Sequence, residues 1–510
     1  MVDYRLTPDG IQARQATKDE LANLQQAEDR LVQLRAPLLL ETDIDRVFVM
    51  AVDGTGNSIY KDSPEQHTIV GRLKDDIEAL ESPVIAVGYL EGIGTQSDYV
   101  TSRIDAALAT SFQARIEQAY YGFCVQAAKW IDEDPNVRIH LVGIGFSRGA
   151  EQVPALQRMI HERGIRDPGG ARIAYGPEGL PNTIQYANLP PLGPPGRTVQ
   201  AALLLDPVST SLEGEERRLP GSNISTLAFI AKHDARDLFP ATRHVPDGVS
   251  EQGRVASFVV PGAHSDVGGA YLIDGGGRRI QNMGVDYLNA MFGGPLLDKV
   301  PLPADPRLYA IHSSEQHQFG INPTGHYRRS GERHVHSGLS PSCRASAPDI
   351  CMREPVDQEL AGSLQWRYVE RSRAPGGSDP RMDAALVAIN AMYARDPTLL
   401  DMAAARSSLP LRAELLVARD QVEVVFDQFA EAALRHSVVA MSAATRAYME
   451  TPSGRVFKSA LDLGQTWSNV HRSREGQRNL GLGTDNGQLA EMQSHHLAGP
   501  RHAAPAMPHR

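Results

Sequence analysis

The stretch HLVGIGFSRGAEQ, from His140 to Gln152, decides how the chain is read. A polar lead-in, NVRIH, gives way to alternating apolar residues, so Val137–Val142 reads as a strand. Gly145-Phe146-Ser147-Arg148-Gly149 then interrupts the pattern, and a helix is expected from Ala150 to Glu162. A serine on a sharp strand-to-helix turn stands clear of the sheet, where a carbonyl can approach its hydroxyl. The turn crowds whatever flanks it, so glycine is needed two residues before and two after. The backbone N–H of Arg148, at the helix start, then points at the reacting oxygen, and the helix N-terminus adds positive potential. The bland alternative is a glycine-rich structural turn. Placement between strand and helix is what gives the pattern weight.

Other short apolar runs surround this one. Val47–Val52 ends at Asp53-Gly54-Thr55-Gly56-Asn57, and Val84–Tyr89 ends near Gly92-Ile93-Gly94-Thr95. Ala201–Leu205 ends at Asp206-Pro207, and Ala256–Val260 ends at Pro261-Gly262-Ala263-His264. A long helical pattern covers about Ile104–Trp130. Short apolar strands with helices between them predict a parallel α/β sheet. Ligands bind beyond the carboxyl ends of such strands, and each unusual cluster falls at such an end.

A serine hydroxyl is a weak nucleophile until a base takes its proton, so a base and an acid are sought at later strand ends. Asp206 closes the run AALLLD, and a carboxylate there is suited to orient an imidazole. His264 is the candidate base. His233, His244, His312, His317, His326, His334 and His336 compete with it, but most lie in polar stretches with no strand leading to them. Asp266 follows His264 by two residues and, on an extended chain, points the same way. Three roles stay open for it: orienting a loop, binding a cation, or replacing Asp206 as the acid. Asp206 is preferred, because an acid from a separate strand end reaches the far ring nitrogen more easily. In the cluster after the first strand, Gly54 or Thr55 is a candidate second oxyanion donor, with Asp53 in support.

Composition excludes other classes. The 510 residues carry a net charge of −10, with no basic face to bind nucleic acid. Three cysteines, Cys124, Cys343 and Cys351, are too few for a disulfide framework. Free thiols are expected of a chain made in the cytoplasm, with a Cys343–Cys351 bridge as the alternative. The start, MVDYRLTPDG, has no basic segment followed by an apolar one, so no signal peptide is expected. The expected organisation is an N-terminal helical extension over residues 1–45, with a helix from Lys18 to Leu34, and a catalytic α/β domain over 46–311. An irregular insertion follows over 312–380, then a helical region over 381–471 with helices at Met382–Arg395 and Leu411–Met449, and a disordered tail over 472–510.

Taken together, VDGTGN, GIGT, YYGFCVQAAKW, IHLVGIGFSRGA, LLLDPV and PGAHSDVGGAY resemble an α/β-hydrolase domain family. That family includes the first class of type VI secretion lipase effectors, which are antibacterial phospholipases. The resemblance runs from about Val47 to Tyr271, with Pro207 where family members commonly carry threonine. It implies an α/β-hydrolase fold with helical insertions and a Ser–Asp–His triad. By motif matching, the triad falls on Ser147, Asp206 and His264. It further implies a serine esterase cleaving carboxylic esters of phospholipids, with no metal or cofactor required. The chain would be delivered by a dedicated secretion system to the periplasm or membranes of a target cell. Implied partners are a lipid substrate, a membrane surface, a secretion-system component and an immunity protein. The alternatives are an esterase for a small soluble substrate and a hydrolase-like adaptor that binds without catalysing.

Overall fold

The computed structural model describes residues 5–6, 11–95, 111–175, 181–210, 212, 215–234, 236, 240–313 and 353–395. The expected helix at Leu411–Met449, the tail after Arg472, Cys343, Cys351, His317, His326, His334 and His336 lie outside these residues.

Seven strands form the central sheet: β1 (Asp45–Val52), β2 (Ile85–Leu90), β3 (Arg138–Phe146), β4 (Val199–Leu205), β5 (Asn223–Ala231), β6 (Gly248–Val249) and β7 (Val255–Val260). Their spatial order is β6-β7-β5-β4-β3-β1-β2. All pairings are parallel except β6 against β7. The fold is therefore α/β-hydrolase-like, as expected. The chain runs outward to β2, returns to place β3 beside β1, and then builds away through β4, β5 and β7. β3 thus lies at the point where the winding reverses, which is where parallel sheets open a crevice for ligands. The register keeps the carboxyl ends level: Val52 pairs with Gly145, Phe146 with Leu205, Leu205 with Phe229, and Ala231 with Val260.

Alternation along each strand splits the core between the two faces. Val47, Val49 and Ala51 pack with Val142, Ile144, Leu203 and Leu205 beneath α2 (Ile69–Glu78) and α6 (Gly275–Phe292). Phe48, Met50 and Val52 pack on the other side with α3 (Phe112–Glu133) and α4 (Gly149–Arg163). With helices on both faces, the inner strands are buried along almost their whole length and read as continuous apolar runs.

β5 departs from that rule, and the sequence reading has no strand there. Three of its first four residues, Asn223, Ser225 and Thr226, are polar, yet all nine are buried. Partners on the flanking elements satisfy them. Asn223 Nδ2 donates to Gln157 Oε1 at 2.9 Å, the Ser225 hydroxyl lies 2.7 Å from that of Tyr287, and Thr226 Oγ1 donates to Asn223 Oδ1 at 2.8 Å. Buried polar groups bonded in this way carry little penalty.

The N-terminal helix packs against the sheet. α1 (Lys18–Leu31) opens with the capping box Thr17-Lys18-Asp19-Glu20: Thr17 Oγ1 accepts the Glu20 N–H and Glu20 Oε2 accepts the Thr17 N–H. Its Leu24, Ala27 and Leu31 enter the same core as β1 and β4. The stretch before residue 380 also packs onto the sheet domain. Leu360 and Ala361 of α7 (Gln358–Gly362), with Leu364 and Val369, join that core. Trp366–Tyr368 pairs with Arg35–Pro37. α8 (Pro380–Arg395), at the expected place, sets Met382, Ala385 and Ile389 against Ile273 and Leu308. No helix among the described residues is long and apolar enough to cross a membrane.

Candidate active site

β3 ends at Phe146 and α4 begins at Gly149, so Ser147 sits on the turn itself. Its φ is +58°, a left-handed conformation that non-glycine residues rarely adopt. The Ser147 N–H donates to Leu205 O at 3.0 Å, and its carbonyl accepts the Val208 N–H at 3.3 Å, so the end of β4 brackets the turn. The flanking glycines are steric requirements. A Cβ on Gly145 would stand 2.6 Å from Gly149 O, and one on Gly149 would stand 2.3 Å from Val52 O.

Asp206 follows β4 directly and also lies at positive φ, +42°. Its Oδ1 accepts the Ala231 N–H at 2.9 Å, and its Oδ2 lies 2.5 Å from His264 Nδ1. His264 is the first residue of the short helix α5 (His264–Gly268) beyond β7. Its ring packs 4.6 Å, centroid to centroid, from that of Phe146, the residue before the serine. Asp206 thus holds one nitrogen of His264, and the ring lies against Phe146, the residue that precedes Ser147. Burial lowers the pKa of His264 below the ordinary 6.5, against the opposing pull of Asp206. That direction favours the neutral imidazole, the form that can accept a proton.

Asp234, beyond the end of β5, is a component the sequence reading missed. Asp206, Asp234 and His264 each offer a ligand atom within 4.8 Å of the others. Arg236 faces both Asp234 oxygens, Nε at 2.9 Å and Nη2 at 2.7 Å. The guanidinium thus occupies the position a cation would take beside that carboxylate. The signal, Asp-x-Arg after an unrecognised strand, could not have been found without β5.

On the candidate oxyanion side, Arg148 is the N-cap of α4, and its buried side chain donates from Nε to Thr55 Oγ1 at 2.8 Å. The Gly54 N–H is taken by Asp53 Oδ1 at 2.8 Å. Of the two expected donors, Gly54 is therefore spent, and Thr55 carries that expectation. Asp53 also accepts bonds from Thr68 Oγ1 and Tyr89 Oη, each at 2.8 Å. Burial raises its pKa to about 6, against the lowering effect of those bonds.

Asp266 does not share the orientation of His264. The segment is helical, not extended, so a two-residue step turns the side chain about 200° away. Asp266 instead meets His312 Nδ1 at 2.6 Å. His312 in turn closes a short strand, Ala310–His312, and is buried, rather than lying in a polar loop. His233 lies 3.1 Å from Glu20, and His244 lies 3.2 Å from the buried Glu151.

One pH prediction follows. A base that works as neutral imidazole loses activity as pH falls through its pKa. With that pKa lowered, the acid limb of kcat/KM for a soluble ester is expected below pH 6.5. A limb clearly above that value would mean that a different group titrates.

The mostly parallel seven-stranded sheet with helices on both faces defines an α/β-hydrolase-like chain. Within that class, residues 46–175 match the family model described as "T6SS, Phospholipase effector Tle1-like, catalytic domain". The resemblance read from the motifs is thus matched over β1 to α4, a span that includes Ser147 and stops short of Asp206 and His264. Among solved structures, the chain is similar to one described as "Structure of the Tle1 effector bound to the VgrG spike from the Type 6 secretion system". Identity is 18%, the TM-score is 0.27, and the match covers 44% of this chain and 51% of that one. The chain therefore spans about half the length of that relative. A second is described as "Crystal structure of an uncharacterized protein from Pseudomonas aeruginosa". Here identity is 15%, the TM-score is 0.32, and coverage is 84% of this chain and 63% of that one. No curated protein matches the chain.

Proposed function

We propose that the chain is a lipase-type serine esterase that cleaves carboxylic ester bonds of phospholipids, with Ser147, His264 and Asp206 as its triad. The observation that carries the reading is the Asp206–His264 pair, 2.5 Å apart, with the His264 ring against Phe146, the residue before a serine held in left-handed backbone between strand and helix. In this mechanism Ser147 Oγ attacks the ester carbonyl as His264 Nε2 takes the hydroxyl proton. The oxyanion is held by the Arg148 and Thr55 N–H groups. Collapse breaks the ester bond, and the imidazolium gives its proton to the departing alcohol, a lysophospholipid. His264 then deprotonates water, which attacks the acyl-enzyme and releases the fatty acid. Asp206 stays ionised throughout, fixing the tautomer and balancing the imidazolium charge.

The lipid substrate and type VI delivery rest on the family match over residues 46–175. Such a lipase harms a bacterium only from the face of the membrane it can reach, so the reading extends to action in the periplasm of a target cell. It also implies an immunity protein and a secretion-system component as partners. Expressed in a bacterial cytoplasm, the chain is expected to be tolerated. Directed to the periplasm by an added export signal, it is expected to arrest growth only while Ser147 is present. Equal toxicity of the exported wild type and Ser147→Ala would remove the enzymatic explanation and favour a binding role. Serine-dependent killing from the cytoplasm would point to an intracellular, soluble substrate.

A further inference from the structure

A second aspartate–histidine pair, Asp266 and His312, begins two residues from His264 in the same short helix. Asp266 is the third residue of α5, the turn that begins with His264. Its Oδ2 accepts the Ala263 N–H at 2.8 Å, which closes the turn on itself, and also accepts the His312 N–H at 3.0 Å. Its Oδ1 lies 2.6 Å from His312 Nδ1. The carboxylate thus ties the backbone on which His264 is mounted to a separate segment 46 residues along the chain. That segment is itself anchored: His312 pairs across the strand with Ala13, next to the N-terminal helix. The His312 side chain is fully enclosed, and the Tyr271 ring stacks on it at 3.9 Å with 27° between planes. Its Nε2 is buried with no hydrogen-bond partner among the described residues. A buried imidazole with one nitrogen unsatisfied is costly. Its other nitrogen and its backbone N–H both serve one carboxylate. Gly262 completes the fit, since a Cβ there would stand 2.8 Å from Asp266 Cβ, and its φ of +133° is one that only glycine adopts readily.

We infer that Asp266 and His312 form a positioning clamp that holds the α5 turn, and with it the His264 imidazole, in register with Ser147. The inference rests on the triad reading above. Asp206 fixes the ring through Nδ1, but it cannot fix the backbone that carries the ring. The clamp does that through contacts with the turn backbone and with His312 rather than with the His264 ring. Loosening the turn would let His264 Nε2 drift from the serine hydroxyl. A displacement on the order of 1 Å is enough to cost about a hundredfold in rate.

The test compares wild type, Asp266→Asn, His312→Phe and His312→Asn as full-length proteins. Phenylalanine keeps a ring against Tyr271 but removes the donor, whereas asparagine keeps a donor near the Nδ1 position. Four quantities are read: the rate at which a fluorophosphonate labels Ser147, kcat and KM for a soluble ester, and the melting temperature. His312→Phe and Asp266→Asn are expected to slow labelling and lower kcat by about tenfold or more with KM little changed. His312→Asn is expected to recover most of the loss. Wild-type labelling by a folded His312→Phe protein would overturn the clamp. So would a loss that follows melting temperature alone and is not recovered by His312→Asn. Ser147→Ala is the separate control: if it is labelled as fast as wild type, the triad reading fails, and the clamp with it.

Discussion

Replacing Ser147 with alanine is expected to abolish ester hydrolysis while leaving the fold intact. The loss should be roughly 10^4- to 10^6-fold in kcat, the size seen when a triad nucleophile is removed. The fold should survive because the turn is held by backbone: the Ser147 N–H on Leu205 O, the Val208 N–H on Ser147 O, and the close approach of Gly149 to Val52. Alanine meets the same left-handed strain as serine at φ +58°. Glycine would relieve it, so Ser147→Gly is expected to melt no lower than Ser147→Ala while being equally inactive. The measurement is kcat on a soluble fluorogenic ester alongside a thermal melt. Near-normal turnover by a folded Ser147→Ala protein would end the nucleophile assignment.

Asp206→Asn is expected to cost about 10^3- to 10^4-fold in kcat. The substitution is conformationally mild, because asparagine tolerates the positive φ at this position better than most residues. Its amide oxygen can still accept the Ala231 N–H that Oδ1 accepts now. Its amide nitrogen then faces His264 Nδ1, so the imidazole must turn its lone pair toward position 206 and its N–H toward the serine. That tautomer cannot act as base. The variant also removes the carboxylate in direct contact with the imidazolium in a buried site. Asp266→Asn is expected to do less, because Asp266 contacts His312 and the turn backbone rather than the reacting ring. An active Asp206→Asn protein beside a dead, folded Asp266→Asn protein would reverse the two roles.

How much of this was legible in the sequence depends on whether a residue's role is local. β1, β3, β4 and β7 were readable because both faces of a central parallel strand are covered, leaving short apolar runs. Ser147 was readable because the glycines that permit its turn are neighbours in the chain. β5 was not, because the partners that satisfy Asn223, Ser225 and Thr226 come from Gln157, Tyr287 and within the strand itself. Asp234 and Arg236 were lost with it. The orientation of Asp266 was misjudged by applying a two-residue period to a segment that is helical. The place of His312 was hidden for another reason: its strand is three residues long and pairs with Gln12–Gln15, nearly 300 residues earlier. The left-handed backbone at Ser147 and Asp206 leaves no trace in composition, since glycine or asparagine is the usual signal for it.

The most direct test of the central claim is product analysis by mass spectrometry. Purified full-length wild type and Ser147→Ala are incubated with vesicles of phosphatidylethanolamine and phosphatidylglycerol. The account predicts free fatty acid and lysophospholipid in equal amounts from the wild type, with neither above background from Ser147→Ala. A folded wild type that releases neither product, or a Ser147→Ala protein that releases both at the wild-type rate, would contradict it.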